Sequence, residues 1–162
     1  MRDPLTNLPN RRALENEAER MLALANREGK QVCVIYVDLK NFKPVNDRFG
    51  HKAGDYVISV VAHRLSSVMR KSDFLARVGG DEFVYLLYDC KEYVQFVERV
   101  INELEKPIQY EENTINVSAN FGIAIYPKDA TSFGDLLLKA DVAMYYAKNN
   151  NLYFFLASNL NV

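Results

Sequence analysis

Two glycines followed by two carboxylates, Gly79-Gly80-Asp81-Glu82, separate two apolar runs, and no other feature constrains the fold of this chain so tightly. The runs 74–78 and 83–88 are rich in β-favouring residues and predict a β-hairpin with the glycines at its tip. Glycine there permits positive φ and lets a ligand approach the backbone, while Asp81 and Glu82 offer hard oxygen ligands suited to Mg²⁺. Taken alone, the same residues also suit an ordinary acidic turn, because so short a pattern recurs by chance.

The flanking periodicities decide what the hairpin belongs to. Leu14, Ala18, Met21 and Ala25 repeat at helical spacing over 11–28, and Gly29 is a stop signal. Residues 31–39 form a nearly continuous apolar run, the mark of a strand covered on both faces, interrupted by Asp38. Amphipathic helices are predicted over 54–69 and 91–106; Asp89 with Glu92 resembles a capping box for the second, and Pro107 ends it. Residues 113–126 alternate as one strand, Ser132 opens a final helix carrying Leu136, Ala140, Ala143 and Ala147 on one face, and 153–156 closes the chain as a short strand. The central order, strand, helix, hairpin, helix, strand, is the α+β, ferredoxin-like βαββαβ arrangement. Its first strand lies beside the hairpin in an antiparallel sheet, which brings Asp38 and Asp81 towards one ion. Two carboxylates from neighbouring strands make a Mg²⁺ site of the kind used in phosphoryl and nucleotidyl transfer.

Composition removes other classes. A formal charge of -1 and a pI near 6.1 leave no basic surface for general nucleic-acid binding, so any phosphate site is local. No run reaches membrane-spanning length and none has the form of a signal peptide, so a cytoplasmic location is expected, either free or as the cytoplasmic part of a membrane-anchored protein. Cys33 and Cys90 lack the spacing of a zinc or redox pair and read as buried thiols. The 162 residues are expected to form one domain, with a lead-in helix at about 10–28 and a core at about 31–156.

Five ordered blocks then carry a family resemblance. They are Asp3-Pro-Leu-Thr-Asn-Leu-Pro-Asn-Arg11, Asp38-Leu-Lys-Asn-Phe-Lys-Pro-Val-Asn-Asp47, Gly50-His-Lys-Ala-Gly-Asp55, Arg77-Val-Gly-Gly-Asp-Glu-Phe83 and Ala140-Asp-Val-Ala-Met-Tyr-Tyr-Ala-Lys148. Together they resemble the GGDEF family of diguanylate cyclases, and the phrasing around Tyr126-Pro127 and Ala140 is similar to copies joined to an EAL phosphodiesterase domain. The resemblance implies a nucleotidyl-cyclase or palm-type fold. It implies a Mg²⁺- or Mn²⁺-dependent enzyme of bacterial second-messenger signalling that condenses two GTP into cyclic di-GMP across a homodimer. The alternative is a degenerate GTP- or cyclic di-GMP-binding regulatory module of a GGDEF-EAL phosphodiesterase. Carried over by position, Asp38, Asp81 and the Leu39 carbonyl become metal ligands, and Glu82 a second metal ligand or the base for the attacking hydroxyl. Asn46 and Asp55 become readers of guanine, whose donor and acceptor edges an amide and a carboxylate match. Gly79 and Gly80 would admit phosphates, Lys43 and Lys148 would balance their charge, and Arg70 with Asp73 would form an inhibitory product site. His51 and His63 take structural roles, and an upstream sensory segment is expected.

Two departures bear on activity. Where the family pattern has a second Asp, this chain has Lys40, which on an alternating strand shares a face with Asp38 and is expected either to pair with a carboxylate or to weaken Mg²⁺ binding, with affinity lower than in Lys40→Asp. The family's Gly-Arg-Asn after the last Lys is also missing, since 149–153 reads Asn-Asn-Asn-Leu-Tyr.

Overall fold

The structure is a computed structural model that describes residues 1–160. Its centre is β1 (Val32–Lys40), whose first eight residues are all buried. The helical repeat before it becomes α1 (Arg11–Glu28), opened by the Asn10 side chain accepting from the Ala13 N–H and closed by Gly29 at φ 65°, the left-handed cap that glycine supplies without strain. After β1 come α2 (Lys43–Phe49), α3 (His51–Ser67), β2 (Phe74–Arg77), β3 (Glu82–Tyr88) and α4 (Tyr93–Leu104). The chain continues through β4 (Ile108–Tyr110), β5 (Asn113–Ile115), β6 (Ser118–Tyr126), α5 (Phe133–Asn149) and β7 (Phe154–Leu156).

The main sheet has the order β2-β3-β1-β6-β7. Its first four strands are antiparallel neighbours in the expected βαββαβ order, and β7 joins the edge parallel to β6 through the α5 crossover, so the sheet is mixed. Strand alternation sorts the core into two layers. Cys33, Ile35, Val37 and Leu39 face α3 and α4 with Phe83, Tyr85, Phe96 and Phe121, whereas Val32, Val34 and Tyr36 face α1 and α5 with Leu14, Met21, Ala140 and Met144. Both cysteines are buried and free, and the Cys33 thiol donates to the Cys90 carbonyl.

Three local expectations are corrected. The alternating run 113–126 is two strands, because β5 turns back on β4 through Glu111 and Glu112, and only β6 enters the main sheet. The helix expected from residue 54 starts at His51, after Gly50 at φ 91° separates it from the unforeseen α2. Asp89 and Glu92 form no capping box: Asp89 sits at φ 51° with its N–H on the Gln31 carbonyl, and Glu92, at the N-cap, makes no side-chain cap bond.

Candidate active site

Register places the carboxylates. Asp38, the seventh residue of β1, lies opposite Glu82 on β3 and Asn120 on β6, and the Leu39 N–H donates to the Asp81 carbonyl at 3.0 Å. The end of the central strand and the glycine turn are thereby joined. Asp38 and Glu82 share the face covered by α1 and α5, as Tyr36 and Val84 show.

Asp38 and Glu82 each have a partner that fixes them. Lys148, from the last turn of α5, donates to Asp38 Oδ2 at 3.1 Å. Tyr36 donates its hydroxyl to Glu82 Oε1 at 2.9 Å, and burial together with Glu82 pushes the phenol pKa up, so Tyr36 stays a donor. Burial raises the Asp38 pKa; the Lys148 hydrogen bond opposes the shift, and the nearby Asp81 and Glu82 charges reinforce it. The site therefore gathers more negative charge, one buried and two half-buried carboxylates, than one lysine neutralises, the electrostatic condition that favours binding a cation.

The glycines act through space. Neither uses the positive φ that glycine permits; Gly29 and Gly50 are the positive-φ glycines among the described residues. A Cβ on Gly79 would stand 3.0 Å from Glu82 Oε1, whereas one on Gly80 would meet nothing within 4 Å. The turn is clamped by Arg77, whose Nε and Nη2 donate to the carbonyls of Gly79 and Gly80 at 2.7–3.2 Å while Nη1 reaches both oxygens of Asp3 at 3.0 and 3.1 Å. Asp3 is held in turn by the amide and hydroxyl of Thr6. Burial raises the Asp3 pKa, but these bonds and Arg77 outweigh it and leave the carboxyl below its ordinary value. The clamp's contribution is thus present above the ordinary carboxylate pKa and lost as pH falls through the lower folded one.

The guanine candidates are also adjacent. Asn46 on α2 lies against Gly54 of α3, where an added Cβ would fall 1.7 Å from Asn46 Oδ1, and Asp55 is the next residue, exposed on α3. Lys43 is exposed at the start of α2. Arg70 and Asp73 meet at the opposite end of the hairpin, facing each other: Asp73 has no exposed side chain and accepts from Arg70 Nη2 at 2.9 Å and from the Arg70 N–H at 2.8 Å. Arg70 also donates to the Tyr88 carbonyl. His51 and His63 are exposed, and no ion pair among the described residues involves Lys40.

Among the described residues, no three His, Cys, Asp or Glu side chains converge as a ready-made metal cage. That suits Mg²⁺, which takes one or two carboxylates plus substrate phosphates rather than an all-protein cage. Asp38 and Asp81, with Glu82 beside them, are the residues that would hold it. Sequence reasoning quoted Asp3 and Arg77 without a role and missed Tyr36, Asn120 and the packing of Gly54. The Arg77 clamp had one visible signal, an arginine two residues before a glycine pair.

A carboxylate cluster at the end of the central strand of a βαββαβ sheet, beside an open glycine turn, defines a palm-like cyclase fold. The chain belongs to the GGDEF family: the family model described as diguanylate cyclase, GGDEF domain, matches residues 1–152. It is 38% identical over 99% of its length to the bifunctional diguanylate cyclase/cyclic di-GMP phosphodiesterase MucR of Pseudomonas aeruginosa, covering 24% of that protein. It is 40% identical over 90% of its length to the diguanylate cyclase TpbB of the same organism, covering 34% of it. A solved structure comprising only the TpbB GGDEF domain superposes with a TM-score of 0.93 at 38% identity, covering 97% of this chain and 94% of that one. The chain thus spans a quarter to a third of these curated relatives. No helix among the described residues is long and apolar enough to cross a membrane.

Proposed function

We propose that this domain is a cytoplasmic diguanylate cyclase that binds GTP with Mg²⁺ and, paired with a second copy, forms cyclic di-GMP and two pyrophosphates. The observation that carries the reading is the register of Asp38 against Glu82, with Asp81 tied to Leu39 beside them. A divalent ion bound there would acidify the 3′-hydroxyl and take up charge at the α-phosphate. Asp38 and Asp81 would hold that ion, Glu82, fixed by Tyr36, would serve the attacking hydroxyl as base or second ligand, and Lys148 would turn from Asp38 to phosphate once a cation replaced it. Lys43 offers a second phosphate cation at the start of α2. Each 3′-hydroxyl attacks the nucleotide on the facing domain, so turnover requires two copies. Arg70 and Asp73 form the product site once their mutual pair opens. Incubating dimerised protein with GTP and Mg²⁺ and detecting cyclic di-GMP by mass tests the reading; unchanged GTP overturns it. A second reading, a nucleotide-binding regulatory module of a phosphodiesterase, is favoured by the Lys148–Asp38 pair, which occupies a metal carboxylate.

Guanine recognition gives two expected outcomes. GTP should bind at least about tenfold tighter than ATP, because adenine leaves the Asp55 carboxylate without donors. Gly54→Ala should melt no lower than the parent, since alanine favours a helix by about 1 kcal/mol and the displaced group is a side-chain end. The same change pushes Asn46 aside and should weaken GTP binding about tenfold. Unaltered GTP affinity in that variant would show that Asn46 does not read the base.

A further inference from the structure

At the Lys40 end of β1 the surface opens into a polar hollow of about 330 Å³, lined by Lys40, Glu105, Ser118, Asn120, Asn151 and Leu152 among others. It begins where the carboxylate cluster ends, for Asn120 is the cross-strand partner of Asp38 and Ser118 that of Lys40. Its volume is about ten times the share of one liquid water, enough for a hydrated anionic group.

Two cations serve this end of the sheet, and they are differently engaged. Lys148 is committed to Asp38 at 3.1 Å. Lys40 pairs with no carboxylate among the described residues, although it stands on the Asp38 face about 7 Å further along the strand. The second observation is Asn120, 3% exposed, which donates from Nδ2 to the Leu152 carbonyl at 2.8 Å while its Oδ1 has no partner. A buried acceptor without a donor is rare in a folded chain. Waters retained around a metal-bound phosphate are donors of the right kind at this position, one strand from Asp38. The carboxylate in the lining, Glu105, is already engaged, its Oε2 accepting from the hydroxyls of Ser118 at 2.8 Å and Tyr153 at 2.6 Å.

We propose that Lys40 receives the terminal phosphate of the bound nucleotide, making this hollow the place where triphosphate is told from diphosphate. The inference rests on the GTP reading above. It gives Lys40 a positive role in place of the metal-weakening one expected from sequence. Asp38 and Asp81 would hold the cation that neutralises the inner phosphates, and the lysine stem carries a mobile point charge to the outer one.

The test is equilibrium binding of GTP, GDP, ATP and ADP at fixed Mg²⁺ to the parent, Lys40→Met and Lys40→Arg. Lys40→Met should weaken GTP binding about tenfold and leave GDP within about twofold, while Lys40→Arg retains the parent's preference. Equal loss for GTP and GDP, or no loss for GTP, overturns the proposal. A parent that does not prefer GTP to ATP would refute the guanine assignment separately. In that case the tri- to diphosphate ratio still judges Lys40, and it must fall in Lys40→Met. A parent that binds no nucleotide overturns both.

Discussion

Asp38→Ala and Asp81→Ala are each expected to lower cyclic di-GMP formation by at least about a thousandfold, because each removes charge that no neighbouring group replaces at the reacting phosphate. The fold should survive both. Asp81 lies in the turn, and the Asp38–Lys148 pair has a lysine side chain 47% exposed, which limits its worth to about 1 kcal/mol or less. Asp38 adds a stability effect of definite sign. Its native pKa is raised, so the folded state binds more protons than the unfolded one between the unfolded value and the raised native value. Stability from this group is therefore lost as pH rises through that window, and at neutral pH the ionised carboxylate is a net cost. Asp38→Asn, which keeps the shape without the charge, should melt at least as high as the parent at pH 7 without divalent metal while forming no product. A lower melting point there would mean that Lys148 more than compensates the burial, and full activity in any of these variants would remove Asp38 or Asp81 from the metal assignment.

That conflict between function and stability was partly legible in the sequence. An Asp inside an otherwise apolar run stands out against strand periodicity, as does a glycine pair between two β-rich runs, so β1, the hairpin and the convergence of their carboxylates could be read from residues alone. Long amphipathic repeats placed α1, α4 and α5 for the same reason: many apolar positions vote together. What escaped were elements too short to vote. The seven residues of α2 carry one buried side chain, Val45, and β4 and β5 have three residues each, so their placement depends on tertiary packing. Side-chain partnerships escaped for a different reason. Lys148 reaches Asp38 across 110 residues and Arg77 reaches Asp3 across 74, and nothing local encodes either pairing. The Asp89–Glu92 capping box failed because a tertiary contact, the Asp89 N–H on Gln31, held the backbone away from helix geometry.

Gly122→Ala is expected to destabilise the domain by about 3 kcal/mol and to lower its melting point by roughly 6–12 °C. A Cβ there would lie 1.9 Å from the Ala140 carbonyl oxygen, 2.3 Å from the Met144 N and 2.9 Å from its Cα. All three are backbone atoms of α5, so no rotamer change relieves the collision and the helix itself must withdraw from β6. Glycine within a strand often marks such a close approach of another backbone. The approach has a functional consequence, because α5 carries Lys148, and a helix displaced by even an ångström no longer presents that ammonium to Asp38 or to phosphate in the same geometry. Loss of stability and loss of nucleotide affinity should therefore appear together in Gly122→Ala. Gly134→Ala is the control: it lies in the first turn of the same helix with nothing within 4 Å of the added Cβ, so it should be neutral or slightly stabilising and should leave GTP binding unchanged. If Gly122→Ala melts with the parent, the tight seating of α5 on β6 is not what positions Lys148, and the lysine's reach to Asp38 depends on its own flexible stem alone.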